Sequence, residues 1–437
     1  MSLNQVKADV AVFGGGLAGV SASIAASKNG AKTVLVERFP QIGGMAGLIP
    51  ISMWSIVSAE EIGELEQNFG GFPDYLVQEL KKRNAIREVS FKVDGVDSWM
   101  SDSNVATARW YCYDPEILKL ILFQVLKEEG VELRNNSLAV KTQVENRKIT
   151  GVEVETLLQR EVISADVYID ATGSADIVHR AGVPTDYGRE EDGMIYPTAT
   201  SWCVSGADTD NLDIHKGIEF YKQKRESNEL DVPLEGLSVE ILADGVVKFF
   251  GTRVFNVNPL DPLQAVYGET EQRRQIYDIY VAFKNGLPEF RNSRIINTGS
   301  CIGMVGTRRI QGEHRIALQE LLTGKKFEDT IATGTYRLEV WDPKSAAIKY
   351  HHLINDWYTF PYRALLPKDL DNVLAAGSCI SGEYVCLAAW SIQVVCMLTG
   401  QAAGTAAAMC VNNNVEPKKI DIELLQRQLR SDGVFLG

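Results

Sequence analysis

The chain has 437 residues, with 44 Lys plus Arg against 57 Asp plus Glu and a formal net charge of −13. Hydrophobic residues make up 45% and charged residues 23%, so a large core is affordable and disorder as the main state is excluded. The acidic balance disfavours a nucleic-acid surface. Seven cysteines without a CxxC and five histidines without HExxH give neither a disulfide framework nor zinc-ligand spacing, and no metal is expected. The start, MSLNQVKADVAVF, lacks the long apolar region and cleavage site of a signal peptide, which reads as a cytoplasmic protein.

Residues 8–13 read as a short buried strand, and Gly14-Gly15-Gly16-Leu17-Ala18-Gly19 then matches GxGxxG. Residues 17–29 read as a helix with Leu17, Val20, Ile24 and Ala25 on its apolar face. Residues 31–36 read as a second strand, ending at Glu37. Gly14 permits a tight turn, Gly16 lets a pyrophosphate approach the backbone, and Gly19 lets helix and strand pack closely. The helix N-terminus offers free N–H groups to phosphate. Glu37, 23 residues after Gly14, stands where an acid meets a ribose hydroxyl, and it disfavours a 2′-phosphate. This pattern specifies a dinucleotide and leaves FAD and NAD open.

Residues 48–108 read as an insertion with a helix around 73–84. Asp114-Pro115 opens a helix over 114–130, with Asp as cap and Pro at the first position. Strands are predicted at 131–144 and 149–157, and another at 164–173 ends in Ala171-Thr172-Gly173. Residues 183–357 carry no nucleotide fingerprint; strands at 239–242 and 246–255 and a helix at 263–284 suit a substrate or cap domain. A further apolar strand ends at Gly377, and Ser378-Cys379-Ile380-Ser381-Gly382 follows. The uncharged helix is predicted to begin there, within a stretch free of formal charge from Tyr384 to Val415. Its Ser391, Gln393 and Gln401, and the close spacing of Gly400 and Gly404, suit a packed core helix better than a membrane span.

A second glycine pair, Gly43-Gly44, follows Glu37 and Arg38 and precedes Met45. With the later Ala171-Thr172-Gly173, Arg309-Ile310-Gln311-Gly312, PYRALLP (361–367), LDNVLAAG (370–377) and GQAAGTAAA (400–408), the chain resembles the FAD-dependent oxidoreductase family. That family lies within the glutathione-reductase-like and fumarate-reductase-like flavoprotein superfamily. The resemblance implies an α/β fold with a Rossmann-like FAD-binding domain built from discontinuous segments, 1–182 and 358–437, and an inserted α+β substrate/cap domain, 183–357. It implies that Gly14, Gly16, Leu17, Ala18, Gly19, Glu37, Arg38, Gly43, Gly44, Met45, Ala171, Thr172, Gly173, Gly377, Ser378 and Ser381 hold FAD. It also places the positive end of the late helix toward the flavin. No histidine closely follows Gly44, where relatives attach FAD covalently, so noncovalent FAD is expected. Two arginines usual in the family are replaced, one by Ser378 and one within Trp390–Val395.

Only one GxGxxG occurs, so no second nucleotide site is visible, and no paired thiols lie near Gly43. The densest polar cluster runs from Arg308 to Arg315. Arg309 suits an anionic substrate, with His314 or Glu313 moving a proton; a solvated charged face is the competing reading. Arg363 is a candidate for substrate or flavin contact, and the pair His351-His352 for the wall of the site, against a surface role. The expectation is a soluble FAD-dependent dehydrogenase or reductase. It would act on a small organic substrate, an anionic one if Arg309 binds it, by hydride transfer to or from flavin N5. The alternative is an FAD-binding electron-transfer or regulatory subunit without independent catalysis. A homo-oligomer or an electron-transfer partner suits either reading.

Overall fold

The computed structural model describes residues 4–49, 53–57, 70–91, 107–233, 237–336, 338–345, 347–351 and 357–437. Its centre is a five-stranded parallel sheet in the order Val373–Ala375, Val167–Asp170, Val10–Phe13, Thr33–Val36, Glu132–Arg134. Val10–Phe13 and Val167–Asp170 are wholly buried, as parallel strands covered on both faces must be.

The helix Leu17–Lys28 packs on this sheet. Sequence periodicity assigns it one apolar face, but the structure buries it all round, from Leu17 to Ala26. Its second neighbour is the helix Gln393–Asn413, which covers its other side. The two backbones nearly touch. A Cβ on Gly400 would lie 2.1 Å from the Ala18 carbonyl oxygen, and one on Gly404 would lie 2.0 Å from that of Ala22. Small residues in both helices are therefore a steric requirement. Among the described residues, Gln393–Asn413 is the one helix long and apolar enough to cross a membrane, and 89% of its apolar window is buried inside the chain.

An antiparallel sheet forms the second half, in the order Ser238–Ala243, Val246–Phe250, Ser201–Ser205, Arg294–Thr298. The helices Ile214–Glu226 and Pro262–Gly286 are capped by Asp213 and Asp261. They enclose a separate core in which Trp202 stacks on Phe249 at 5.0 Å and Phe283 meets Phe249 edge-on at 5.2 Å. A smaller antiparallel sheet, Met53–Val57, Thr107–Tyr113, Ile86–Phe91, occupies the described part of the insertion beside the helix Gly71–Lys82.

Four sequence expectations change. The strand predicted over 164–173 is confined to Val167–Asp170, and Ser164 ends a separate strand, Arg160–Ser164, in another sheet. The strand predicted over 131–144 is two strands. Glu132–Arg134 ends the parallel sheet; Asn136 takes a positive φ of 51°; Ser137–Glu145 then enters another sheet beside Lys148–Thr156. Asn tolerates that left-handed turn with little penalty. The uncharged helix does not begin after Gly382. Short turns and a five-residue helix, Leu387–Ser391, come first, and extended backbone at Ile392 (φ −65°, ψ 147°) separates them from Gln393. The strand predicted over 246–255 stops at Phe250.

Replacing Gly404 by Val forces a branched side chain into the Ala22 backbone. It is expected to destabilise the fold by about 3 kcal/mol in denaturant unfolding. Leu157→Ser, at a turn residue 90% exposed, is expected to stay within about 0.5 kcal/mol of the parent.

Candidate functional site

The glycine loop joins the end of Val10–Phe13 to the helix Leu17–Lys28. Gly14 has φ +100°, and a Cβ there would lie 2.3 Å from the Ala171 carbonyl oxygen. A Cβ on Gly19 would lie 1.8 Å from the Gly14 carbonyl oxygen. The chain's own backbone therefore requires both glycines. Gly16 is different. Its φ of −68° suits any residue, and the nearest atom to a Cβ there is the Gly44 Cα at 3.8 Å. Nothing in the protein requires glycine at this half-open position. It caps the helix, with no side-chain cap bond and no acidic residue in the first turn of Leu17, Ala18 and Gly19. That leaves N–H groups without a side-chain cap at the positive end of a helix, as a pyrophosphate requires.

Glu37 holds this loop from the side. Its carboxylate accepts the Gly15 N–H and, at 2.8 Å, the Phe39 N–H. The side chain is buried, and that burial raises its pKa against the pull of the backbone bonds. Each oxygen keeps a lone pair, which suits a ribose hydroxyl. Arg38 is exposed and lies over the Phe39 ring at 4.9 Å. The Gly43 N–H donates to the Gly15 carbonyl at 2.7 Å, and Gly44, at φ +54°, lies directly against Gly16. Met45 begins a one-turn helix and stays half-open.

The opposite wall comes from two other strand ends. Ala171 abuts Gly14, and half-open Thr172 and Gly173 follow. The Ser378 hydroxyl donates to the Gly173 carbonyl at 3.2 Å, joining the two segments. Gly377 has φ +76° and faces Ala18 and Cys396. These contacts bring Gly14, Gly16, Ala18, Gly19, Glu37, Gly43, Gly44, Ala171, Thr172, Gly173, Gly377 and Ser378 together along the glycine loop, and Ser381 lies apart. Ser381 is buried against Gly312 and lines another cavity.

Sequence reasoning missed four features of this region. Asp170 is wholly buried at the end of its strand. It accepts the Thr172 hydroxyl at 2.7 Å, the Thr172 N–H, and the Ile177 and Val178 N–H groups at 2.9 and 3.0 Å. It thereby shapes the turn carrying Gly173, and an acid ending an apolar strand was its signal in the sequence. Gln393 and Cys396 stay half-open in an otherwise buried helix; the Tyr113 hydroxyl donates to Gln393 Oε1 at 3.2 Å. A loop from the antiparallel half, residues 299–306, crosses the segment after Met45. The Ser300 N–H donates to the Leu48 carbonyl at 2.8 Å. Gly299, Gly303 and Gly306 within eight residues were its signal.

The three predicted catalytic residues lie elsewhere, held by neighbours. His314 meets Glu320 at 2.9 Å and stands edge-on to Phe327. Arg363 pairs with Asp329 at 2.9 Å. Arg309 is 1% exposed; it donates to the carbonyls of Gly382 at 3.1 Å and Gly188 at 3.0 Å, and its Nη1 has no partner. Arg308, pointing the other way, holds the Ser174 carbonyl and Asp176. Of the pair His351-His352, His352 lies outside the described residues, and His351 is described as strand backbone alone. No group of His, Cys, Asp and Glu among the described residues is arranged to hold a metal ion.

A parallel sheet, a glycine loop opening onto an uncapped helix, and an acid at the end of the next strand define a dinucleotide-binding oxidoreductase half. The chain belongs to the FAD dependent oxidoreductase family, whose model matches residues 9–429, and its cofactor is FAD. A geranylgeranyl bacteriochlorophyll reductase-like protein of Thermoplasma acidophilum is similar in fold, with TM-score 0.51, 13% identity, and 99% of this chain and 85% of that chain covered. A p-nitrophenol 4-monooxygenase of Pseudomonas putida is similar too, with TM-score 0.52, 11% identity, and 98% and 89% covered. At these identities the likeness is one of fold. A search of curated proteins gives no match.

Two outcomes follow. Gly16→Ala should leave the stability of the flavin-free protein within about 0.5 kcal/mol while FAD affinity falls roughly 10- to 100-fold, the loss of one or two backbone–phosphate bonds; Gly19→Ala should lose stability and flavin together. Burial lifts Asp170 to about 6 from 3.8. A carboxyl whose pKa is higher folded than unfolded adds stability that is complete below about pH 4 and lost as pH rises through 6. Between pH 4 and 7 the parent should therefore lose about 2 kcal/mol relative to Asp170→Asn in unfolding experiments.

Proposed function

We propose that this chain is a dehydrogenase or reductase that holds FAD noncovalently along the glycine groove. Its substrate would be a small organic molecule admitted between the parallel-sheet and antiparallel-sheet halves. The observation that carries the reading is Gly16, a glycine the protein's own packing does not require, placed at an uncapped helix start among half-open residues from three strand ends.

Bound FAD supplies two-electron chemistry, exchanging a hydride with the substrate. The chain's residues would bind and orient. The first-turn N–H groups of Leu17, Ala18 and Gly19 take the pyrophosphate, and Glu37 takes a ribose hydroxyl. Gly43, Gly44 and Met45 on one side, and Thr172, Gly173, Gly377 and Ser378 on the other, line the rest of its length. The start of Gln393–Asn413 is a second uncapped helix end, with no acidic residue in its first turn. It would favour negative charge nearby, which matters more here because the arginines that the resemblance leads one to expect at Ser378 and within Trp390–Val395 are absent. The 299–306 loop would cover the cofactor against water.

A second reading, an electron-transfer subunit, is favoured by one observation. His314 is held by a hydrogen bond with Glu320 and Arg363 by an ion pair with Asp329, and neither lies at the groove. A visible spectrum of the purified protein, then anaerobic titration with a metabolite panel, separates the readings. Flavin absorbance, release of all flavin on acid precipitation, and bleaching by a small metabolite are expected. Protein that neither carries nor takes up FAD overturns the proposal. Flavin that bleaches only with dithionite or a redox protein favours the second reading.

A further inference from the structure

A cavity of about 560 Å³ opens beside the two-stranded sheet Thr185–Tyr187 and Arg308–Ile310. None of the glycines of the cofactor groove lines it. Its charged lining is Arg189, Arg309, Arg315 and Lys368 against Asp186 and Glu190; Arg189 is taken up by Asp192 at 2.6 Å, which leaves an excess of one positive charge in a chain of net −13. At its wall, Glu190 Oε1 alone accepts from three separate elements. It takes Arg309 Nη2 at 3.4 Å, Arg315 Nη2, and the Tyr384 N–H at 3.0 Å.

That donor set is an anion hole filled by the protein's own carboxylate. Arg309 is almost fully buried, and a buried guanidinium needs a counter-charge. Glu190 supplies it from outside, with 43% of its side chain exposed. The arrangement is also incomplete. Arg309 Nη1 is buried without a partner, and the guanidinium lies over the Tyr384 ring at 5.7 Å. A single side-chain carboxylate leaves this donor unmet, and an unmet buried donor is costly.

We propose that this cavity binds a small oxyanion, a carboxylate or a phosphate, in exchange for Glu190. The incoming anion takes the donors of Arg309 and Arg315 and the Tyr384 N–H, with Lys368 at the mouth. The exchange is a rotation of the Glu190 side chain rather than an opening of its loop. The Arg189 N–H holds the Met194 carbonyl at 2.7 Å, and the Gly193 N–H holds the Arg189 carbonyl at 2.8 Å, so the backbone from 188 to 194 stays in place. Glu190→Gln mimics the released state by removing the competing charge and keeping the shape. The proposal rests on reading Arg309 as an anion-holding residue and is independent of whether the flavin turns over.

The test is calorimetric titration of oxidised, flavin-loaded protein with inorganic phosphate and, separately, with succinate. Neither titration involves turnover, so failure here is distinguishable from failure of the redox reading. The parent is expected to bind one of the two weakly. Glu190→Gln is expected to bind it at least tenfold more tightly. Glu190→Gln combined with Arg315→Gln or Lys368→Gln is expected to lose most of that gain, with flavin content unchanged. The stronger ligand tells carboxylate from phosphate. No binding by folded Glu190→Gln overturns the proposal, and so does a gain that persists in both double variants.

Discussion

The contact on which the rest depends is backbone against backbone. The Leu17–Lys28 helix is pressed between the parallel sheet and the Gln393–Asn413 helix, with Gly19 against Gly14 and Gly400 and Gly404 against Ala18 and Ala22. This contact joins residues almost 400 positions apart and fixes where the first helix begins. The cofactor groove is the open end of that sandwich. Its N–H groups have the right direction because glycine, and nothing larger, lets three backbones converge there.

The groove was legible because it obeys local rules. A glycine spacing, a strand on each side and an acid at the right distance are all contained within residues 8–37. Gly43, Gly173 and Gly377 were found through resemblance, since nothing local says that their strands return to the same place. The antiparallel half was harder to read. Its core depends on which faces of Ser201–Ser205 and Val246–Phe250 meet across the sheet, and Trp202 stacking on Phe249 is a long-range pairing. The break at Ile392 also had no local signal, because no Gly or Pro marks it between Trp390 and Val395.

Polar residues were the least legible. Arg308 and Arg309 are neighbours in a cluster that reads as one charged surface. In a strand, however, they face opposite ways. Arg308 serves the turn after Asp170, and Arg309 sinks into the interior against Gly382 and Tyr384. Composition alone cannot separate two such fates. His314 and Arg363 fall to the same limitation in the other direction. Their chemistry suits catalysis, but Glu320 and Asp329 reach them first.

The two missing family arginines make sense in this setting. Ser378 uses its hydroxyl to join the Gly173 turn to its own, and Gln393 accepts from Tyr113. Both residues supply a hydrogen bond between segments rather than a charge. Positive potential along the groove must then come from oriented backbone, the starts of the Leu17–Lys28 and Gln393–Asn413 helices. Such dipoles are fixed in direction and fade within about one turn. They stabilise charge that develops at one place rather than attracting anions from solution. On the proposal of an anion cavity, the attraction of free anions would instead fall to side chains around Arg309. Holding the cofactor, by glycine and helix ends, and recognising soluble charge, by arginine, would then be separate tasks of separate parts of the chain.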